Sequence, residues 1–138
     1  MVEQGIVVHV AVGVILDQND RVLIAKRAPG QHQGGLWEFP GGKVDAGESV
    51  EQALARELHE ELAIGVRACR ELLKVQHDYG DKSVLLDVWV VSQFTGVAHG
   101  NEGQEIAWVS IDTLCEYQFP AANVAIVRAI EAGLSRKD

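Results

Sequence analysis

The sequence predicts one domain of the α/β (α+β) class, in which a mixed β-sheet is sandwiched between helices. Its 138 residues suit a chain with one hydrophobic core of its own. Short segments rich in β-branched residues recur along the chain, and two amphipathic helical patterns stand apart from each other. We find no internal repeat, low-complexity segment or linker, so residues 1–138 are expected to form a single domain.

The N-terminal part of the chain alternates between strands and turns. Residues 6–16 are nearly all small or β-branched and predict a buried strand. A turn at residues 17–20 leads to a second strand, residues 21–27, and we expect the two strands to pair as a hairpin. After a loop at residues 28–35, residues 36–40 predict a short strand that Pro40 and the following two glycines end.

The central helix has the clearest local signals. Ser49 suits the N-cap, and Gln52, three residues later, completes a capping box. Leu54, Leu58 and Leu62 recur every four residues and predict a buried stripe on a helix that ends near residue 63.

The C-terminal half predicts a long hairpin and a second helix. Residues 67–78 and 83–94 read as two strands joined at residues 79–82. A glycine-rich loop follows at residues 96–104, and residues 105–109 predict a short strand. Ser110 is expected to cap a short helical turn. The final helix is expected to bury one face, formed by Ile126, Val127, Ile130 and Leu134.

Composition limits the possible partners and location. The formal net charge of −8 argues against a groove for a nucleic acid polymer, which requires a basic surface. No apolar run approaches the roughly 20 residues that a membrane span needs. The N-terminus lacks a basic region followed by an apolar core, so we expect a cytoplasmic protein that does not bind membranes. Cys69 and Cys115 have no partner motif and are expected to be reduced thiols.

Three glutamates crowd one flank of the central helix. Glu57, Glu60 and Glu61 lie within an arc of roughly 100° beside the leucine stripe. A like-charge pair such as Glu57 and Glu61 destabilises a helix by roughly 0.2–0.5 kcal/mol. The cluster is either a solvated acidic face or a site for a hard cation. Its position next to the core and after the Gly41-Gly42 loop favours Mg²⁺, with Mn²⁺ as a second possibility.

The same segment resembles a known family motif. The pattern Gly42-x5-Glu48-x7-Arg56-Glu57-Leu58-x-Glu60-Glu61-x-Ala63-Ile64 is similar to the Nudix box, G-x5-E-x7-R-E-U-x-E-E-x-G-U, where U is a bulky aliphatic residue. Only Ala63 departs from the fixed positions, where the family has glycine. Because that glycine lies just past the helix and supplies no ligand, the departure puts the loop geometry in question rather than the chemistry.

The resemblance implies the Nudix fold and a metal-dependent hydrolase of nucleoside diphosphates linked to another moiety. It implies that Glu57, Glu60 and Glu61 bind Mg²⁺, with a carbonyl of Gly41 or Gly42 as a further ligand. Arg56 would orient a glutamate, together with Glu48, through charge-assisted hydrogen bonds. Either Glu57 or Glu102, which lies in the glycine-rich loop and is also a candidate metal ligand, would act as the general base.

Similarity extends beyond the box to MutT-type Nudix proteins, which remove oxidised guanine nucleotides such as 8-oxo-dGTP. It covers residues 26–43, 100–104 and 119–123. It implies that Asn123 recognises the base, although helix capping is an alternative role. Further candidates for substrate binding are Arg27, His32, Phe39, Tyr79 and Lys82. Phe39 could instead belong to the core, and Tyr79 could simply finish the hairpin.

The resemblance therefore predicts hydrolysis of oxidised purine nucleoside triphosphates to a monophosphate and pyrophosphate, by a monomer or dimer. One alternative is a Nudix enzyme acting on CTP, dCTP or modified pyrimidine nucleotides. Another is a non-catalytic nucleobase-binding module, although such modules lose the glutamates of the box and this chain keeps them. The last is an interaction domain in which the acidic helix has only a structural role.

Overall fold

The computed structural model describes residues 6–27 and 35–134. Within these ranges the strands are β1 (Ile6–Ile15), β2 (Arg21–Lys26), β3 (Trp37–Glu38), β4 (Gly41–Lys43), β5 (Gly65–Asp78), β6 (Lys82–Thr95) and β7 (Ile106–Ser110). The helices are α1 (Val50–Leu62) and α2 (Val124–Gly133), and 3₁₀ helices cover Ile111–Glu116 and Ala121–Asn123. None of the helices in the described ranges is both long and apolar enough to cross a membrane.

The strands form two sheets. A four-stranded mixed sheet has the order β4-β1-β6-β5, in which β1 runs parallel to β6 and antiparallel to β4. A three-stranded antiparallel sheet has the order β3-β2-β7. The predicted class is confirmed, since α1 and α2 pack against opposite faces of the mixed sheet. The long hairpin of β5 and β6 is also confirmed.

The predicted hairpin between the first two strands is wrong. Within the described residues, Leu16, which directly follows β1, forms one isolated bridge with Val22 of β2, and the two strands lie in different sheets. The turn itself is present, because the Asp17 carboxylate accepts hydrogen bonds from the backbone N–H groups of Asn19 and Arg21. The strands diverge because β4 and β6 occupy the two edges of β1, which is fully buried over its second half.

Strand β4 was not predicted from the sequence. The Gly41-Gly42 pair was expected to end a strand, yet Gly41–Lys43 pairs with Val10–Val12 of β1. A Cβ atom at Gly41 would lie 2.0 Å from the carbonyl oxygen of Ala11, so only glycine permits this approach. The pairing matters for function because it brings the glycine backbone under α1.

Helix α1 follows the prediction closely. The Ser49 side chain accepts from the Gln52 N–H, and the Gln52 side chain accepts from the Ser49 N–H, which completes the capping box. Leu54, Leu58 and Leu62 are fully buried against the mixed sheet. The helix ends at Ala63, which adopts the left-handed conformation with φ 62° and ψ 30°. This is a backbone geometry that favours glycine, the residue the motif has there.

A second hydrophobic core, separate from the one between α1 and the mixed sheet, lies between the two sheets and α2. It contains alternate residues of β1, among them Val12 and Val14, together with Ile126 and Ile130 of α2. The expected buried face of the last helix is therefore confirmed for Ile126, Val127 and Ile130, whereas Leu134 is partly exposed. Cys69 and Cys115 are both free thiols, as expected.

Candidate active site

Arg56 is the centre of the polar network on α1. Its guanidinium group donates two hydrogen bonds to the Glu48 carboxylate, at 2.7 Å from Nε and 3.0 Å from Nη2. It also donates to Glu57 Oε2 at 2.8 Å and to the carbonyl oxygen of Lys43 at 3.0 Å. One side chain therefore ties the loop before the helix, β4 and a glutamate of the helix together. The planar guanidinium suits this task because it presents five donors in a fixed geometry.

The ion pair shifts the pKa values of both partners. The hydrogen bonds from Arg56, and then the one from the Asp45 N–H, lower the pKa of Glu48 to about 2. The Glu48 and Glu57 carboxylates in turn raise the pKa of Arg56. Glu48 is therefore ionised at neutral pH and acts as an anchor for Arg56, rather than as a proton donor.

The Glu57 carboxyl group rests directly over the backbone of Gly42. A Cβ atom built at Gly42 would lie 2.2 Å from Glu57 Cδ, so only glycine leaves room for this carboxyl group. The predicted juxtaposition of the glycine loop with the acidic helix is therefore present. The Glu57 carboxylate oxygens are therefore held against the main chain of Gly42.

Glu61 is crowded by other acids. Burial raises its pKa, a hydrogen bond with Glu57 raises it further, and the charges of Glu57, Glu102 and Glu38 add to the effect, which brings the pKa to about 9. The physical cause is the cost of ionising a carboxyl group beside other negative charges in a partly desolvated site. Glu61 of α1, Glu38 of β3 and Glu102 of the loop after β6 thus lie close to one another.

Glu38, Glu61 and Glu102 line a cleft of about 630 Å³, which we name the acidic cleft. Its polar lining consists of Lys26, Arg27, Glu38, Glu61, Glu102, Gln104 and Glu105. Glu102, predicted from its glycine-rich loop, therefore shares a cavity with Glu61 of the helix. Glu60 is more exposed and turns towards Arg56, with 3.6 Å between Glu60 Oε1 and Arg56 Nη1.

A second, smaller cleft of about 210 Å³ is mainly apolar, and we name it the apolar cleft. It is lined by Val10, Val12, Arg27, Glu38, Phe39, Gly41, Tyr79, Val84, Leu86, Pro120, Ala122 and Asn123. Four of the predicted substrate-binding residues meet here although they come from distant parts of the chain: Arg27, Phe39, Tyr79 and Asn123. Phe39 also belongs to the core and stacks on Phe119 at a centroid distance of 5.1 Å.

Asn123 stands at the start of α2 but does not cap it. Its backbone is in the right-handed helical region, with φ −89° and ψ −10°, and within the described chain its side chain makes no capping hydrogen bond. The amide group is therefore not committed to the helix. It lines the apolar cleft, where it offers one acceptor and two donors.

Arg27 and Glu38 form an ion pair that lines both clefts. Burial raises the pKa of Glu38, and the charge and hydrogen bond of Arg27 oppose that rise. Glu38 was not among the sequence-predicted site residues. The available signal was its place between Trp37 and Phe39 in the stretch similar to MutT-type proteins, but its neighbours in space were needed to recognise it.

Lys82 is a predicted residue that the structure places apart from this arrangement. Lys82 begins β6 and accepts a backbone hydrogen bond from Tyr79, but it is not among the described residues that line the apolar cleft. His32 lies outside the described residues.

The chemistry of the acidic cleft fits a hard divalent cation. Its lining offers the carboxylates of Glu61 and Glu102, and Glu57, which forms a hydrogen bond with Glu61, lies against the backbone of Gly42. Among the described residues, no three histidine, cysteine, aspartate or glutamate side chains already stand in a complete metal-ligand arrangement. In the described conformation Glu57 and Glu60 instead interact with Arg56.

Comparison with known proteins is consistent with this geometry. The family model described as NUDIX domain matches residues 11–129. The chain is 35% identical to the 8-oxo-dGTP diphosphatase of Escherichia coli over 123 residues, which cover 89% of this chain and 95% of the relative. It is 34% identical to the CTP pyrophosphohydrolase of Escherichia coli over 121 residues, covering 88% and 90% of the two chains.

A solved structure agrees with the fold. A chain from a study of MutT from Aliivibrio salmonicida and Vibrio cholerae superposes with a TM-score of 0.82 and 40% sequence identity. The match covers 91% of this chain and 98% of that one.

Proposed function

The chain belongs to the Nudix family, and we propose that it is a pyrophosphohydrolase that cleaves oxidised purine nucleoside triphosphates, with 8-oxo-dGTP as the preferred substrate. The products are a nucleoside monophosphate and pyrophosphate. The observation that carries the reaction type is the Glu57 carboxyl group, which lies against the Gly42 backbone and is braced by Arg56. Removal of such nucleotides would keep them out of DNA.

Glu57, Glu60 and Glu61, with a carbonyl of Gly41 or Gly42, are the residues that would hold Mg²⁺. When bound, the cation neutralises phosphate oxygens and lowers the pKa of water. Arg56 restrains Glu57 through its own contacts with Glu48 and Lys43. The carboxylates of Glu57 and Glu102 are the two candidates to accept a proton from the attacking water.

The arrangement of the two clefts supports a nucleotide lying across them. The base would occupy the apolar cleft, and the phosphates the acidic cleft. Arg27 lines both cavities, so its guanidinium group is placed to interact with a phosphate or the sugar between them.

Base selection is assigned to Asn123. Oxidation of guanine at C8 turns N7 from an acceptor into an N–H donor, while O6 remains an acceptor. A side-chain amide can donate to O6 and accept from N7–H with one planar group. Unmodified guanine presents two acceptors at these positions, so it would leave one end of the amide without a partner.

The competing function is hydrolysis of a pyrimidine triphosphate, which the similarity to a CTP pyrophosphohydrolase favours. A pyrimidine ring is smaller and would reach Asn123 with a different pattern of donors and acceptors. Both functions share the acidic cleft, so the reaction and the base preference require separate tests.

The reaction is tested with Glu61→Gln, which keeps the shape of the side chain and prevents it from ionising to bind a cation. We expect turnover of 8-oxo-dGTP in the presence of Mg²⁺ to fall by about two orders of magnitude or more. The control is Glu131→Gln on the exposed face of α2. Activity in the Glu61 variant equal to that of the control would refute the assignment.

A further inference from the structure

The loop that carries Glu102 also closes the C-terminal end of α1. The last carbonyl groups of a helix have no partner within the helix and must be satisfied from outside. Here the loop supplies the partners of three consecutive carbonyls. The bonds run from Asn101 Nδ2 to Glu60 O at 3.1 Å, from Asn101 N to Glu61 O at 2.9 Å and from His99 N to Leu62 O at 3.1 Å.

Gln104 adds a contact that links two acids of the cleft. Its Nε2–H donates to the carbonyl oxygen of Glu61 at 3.1 Å. Its Oε1 accepts from the backbone N–H of Glu102 at 2.9 Å. Because the amide is planar and rigid, a single group fixes the distance between the backbones of these two residues.

Two glycines allow the loop to reach this arrangement. The Gly103 N–H donates to the carbonyl oxygen of Gly100 at 3.0 Å, and Gly103 has a positive φ of 84°. A Cβ atom at Gly100 would lie 1.9 Å from the carbonyl oxygen of Gln104. The loop therefore folds back tightly on itself, and this turn brings the Gln104 side chain to Glu61.

We propose that Gln104 is a positioning residue that holds Glu102 in register with Glu61 across the acidic cleft. The proposal rests on the proposed function, since it assigns both acids to the reaction. Gln104 acts through the backbone of each acid and touches no reacting atom. Residues that orient metal ligands in this way typically contribute about 10–100-fold to activity or metal affinity.

The test variant is Gln104→Met, which keeps the length of the side chain and removes both hydrogen bonds. We expect kcat for the preferred nucleotide to fall about tenfold or more, with KM changed by less than about threefold. The matched control is Gln93→Met, at an exposed glutamine of β6. A residue that only stabilised the end of the helix would lower the melting temperature and leave kcat of the folded enzyme unchanged.

A double-mutant cycle with Glu102→Gln separates positioning from stability. If Gln104 acts through Glu102, adding Gln104→Met to Glu102→Gln should change kcat by less than about twofold. If the double variant instead lowered kcat by the product of the two single effects, the proposal would be overturned. A kcat of Gln104→Met within about twofold of the unsubstituted enzyme would also overturn it.

Nuclear magnetic resonance relaxation provides a readout that does not depend on activity. In Gln104→Met, the order parameter of the Glu102 N–H should fall from the range of ordered backbone, about 0.85, towards about 0.6. An unchanged order parameter would overturn the proposal. Absence of nucleotide hydrolysis in the unsubstituted protein would refute the proposed function, and the relaxation measurement would then decide the role of Gln104 in loop order alone.

Discussion

Replacing Ala63 by glycine should stabilise the protein. Ala63 ends α1 in the left-handed region, at φ 62° and ψ 30°. This conformation is disfavoured for an L-residue with a Cβ atom by roughly 1–2 kcal/mol, whereas glycine adopts it readily. The greater freedom of glycine in the unfolded chain offsets about 0.5–1 kcal/mol of that gain. The expected net increase in the free energy of unfolding is about 0.5–1 kcal/mol.

For a chain of 138 residues, this increase corresponds to a rise in melting temperature of roughly 2–3 °C. Urea titration followed by circular dichroism measures the free energy, and calorimetry measures the melting temperature. The matched control is Ala55→Gly, in the middle of the same helix, which should lose about 0.5–1 kcal/mol. If Ala63→Gly destabilised the protein as much as Ala55→Gly does, the argument from the left-handed backbone would be wrong.

Three further substitutions test separate parts of the site. Gly42→Ala should reduce kcat/KM by about 10²-fold, because the added Cβ atom would displace the Glu57 carboxyl group. Steady-state kinetics with Mg²⁺ over a range of nucleotide concentrations measure kcat/KM, and an unchanged value would contradict the prediction. Arg56 lowers the pKa of Glu48 from the ordinary 4.5 to about 2, so the ionised Glu48 stabilises the fold above pH 4.5 and progressively less as the pH falls towards 2. Urea unfolding of Glu48→Gln should therefore lose less stability between about pH 5 and 3 than the unsubstituted protein, and parallel losses would contradict the role of the ion pair. Asn123→Ala should lower the preference for 8-oxo-dGTP over dGTP by about tenfold or more. Stability should change little, because the Asn123 side chain makes no capping bond within the described chain, and an unchanged preference would exclude Asn123 from base selection.

The sequence predicted best what is determined locally. The capping box and the leucine stripe of α1 depend on residues three or four positions apart, and both are present as predicted. The position of Glu57, Glu60 and Glu61 along the helix follows from the same periodicity. The resemblance of this segment to the Nudix box indicated the family, and the match of the NUDIX domain model to residues 11–129 confirms it.

The errors concern contacts between distant parts of the chain. The hairpin of β1 and β2 was wrong because β1 pairs with β6, more than 70 positions away in sequence, as the register of Ile6 with Lys82 shows. Strand β4 has no strand-forming composition, and it exists because a glycine backbone can approach Ala11 closely. Glu38 gains its place in the site only when Arg27 and two clefts surround it. These contacts join residues far apart in sequence, so no pattern among neighbouring residues predicts them.

We propose that this Nudix protein selects an oxidised purine. The most direct test is kcat/KM in Mg²⁺ for 8-oxo-dGTP, dGTP, CTP and dCTP, with identification of the released phosphate. We expect pyrophosphate and monophosphate as products, and a preference for 8-oxo-dGTP over each of the others of at least about tenfold. A pyrimidine triphosphate preferred by about tenfold or more would contradict the assignment of Asn123 and the apolar cleft to an oxidised purine.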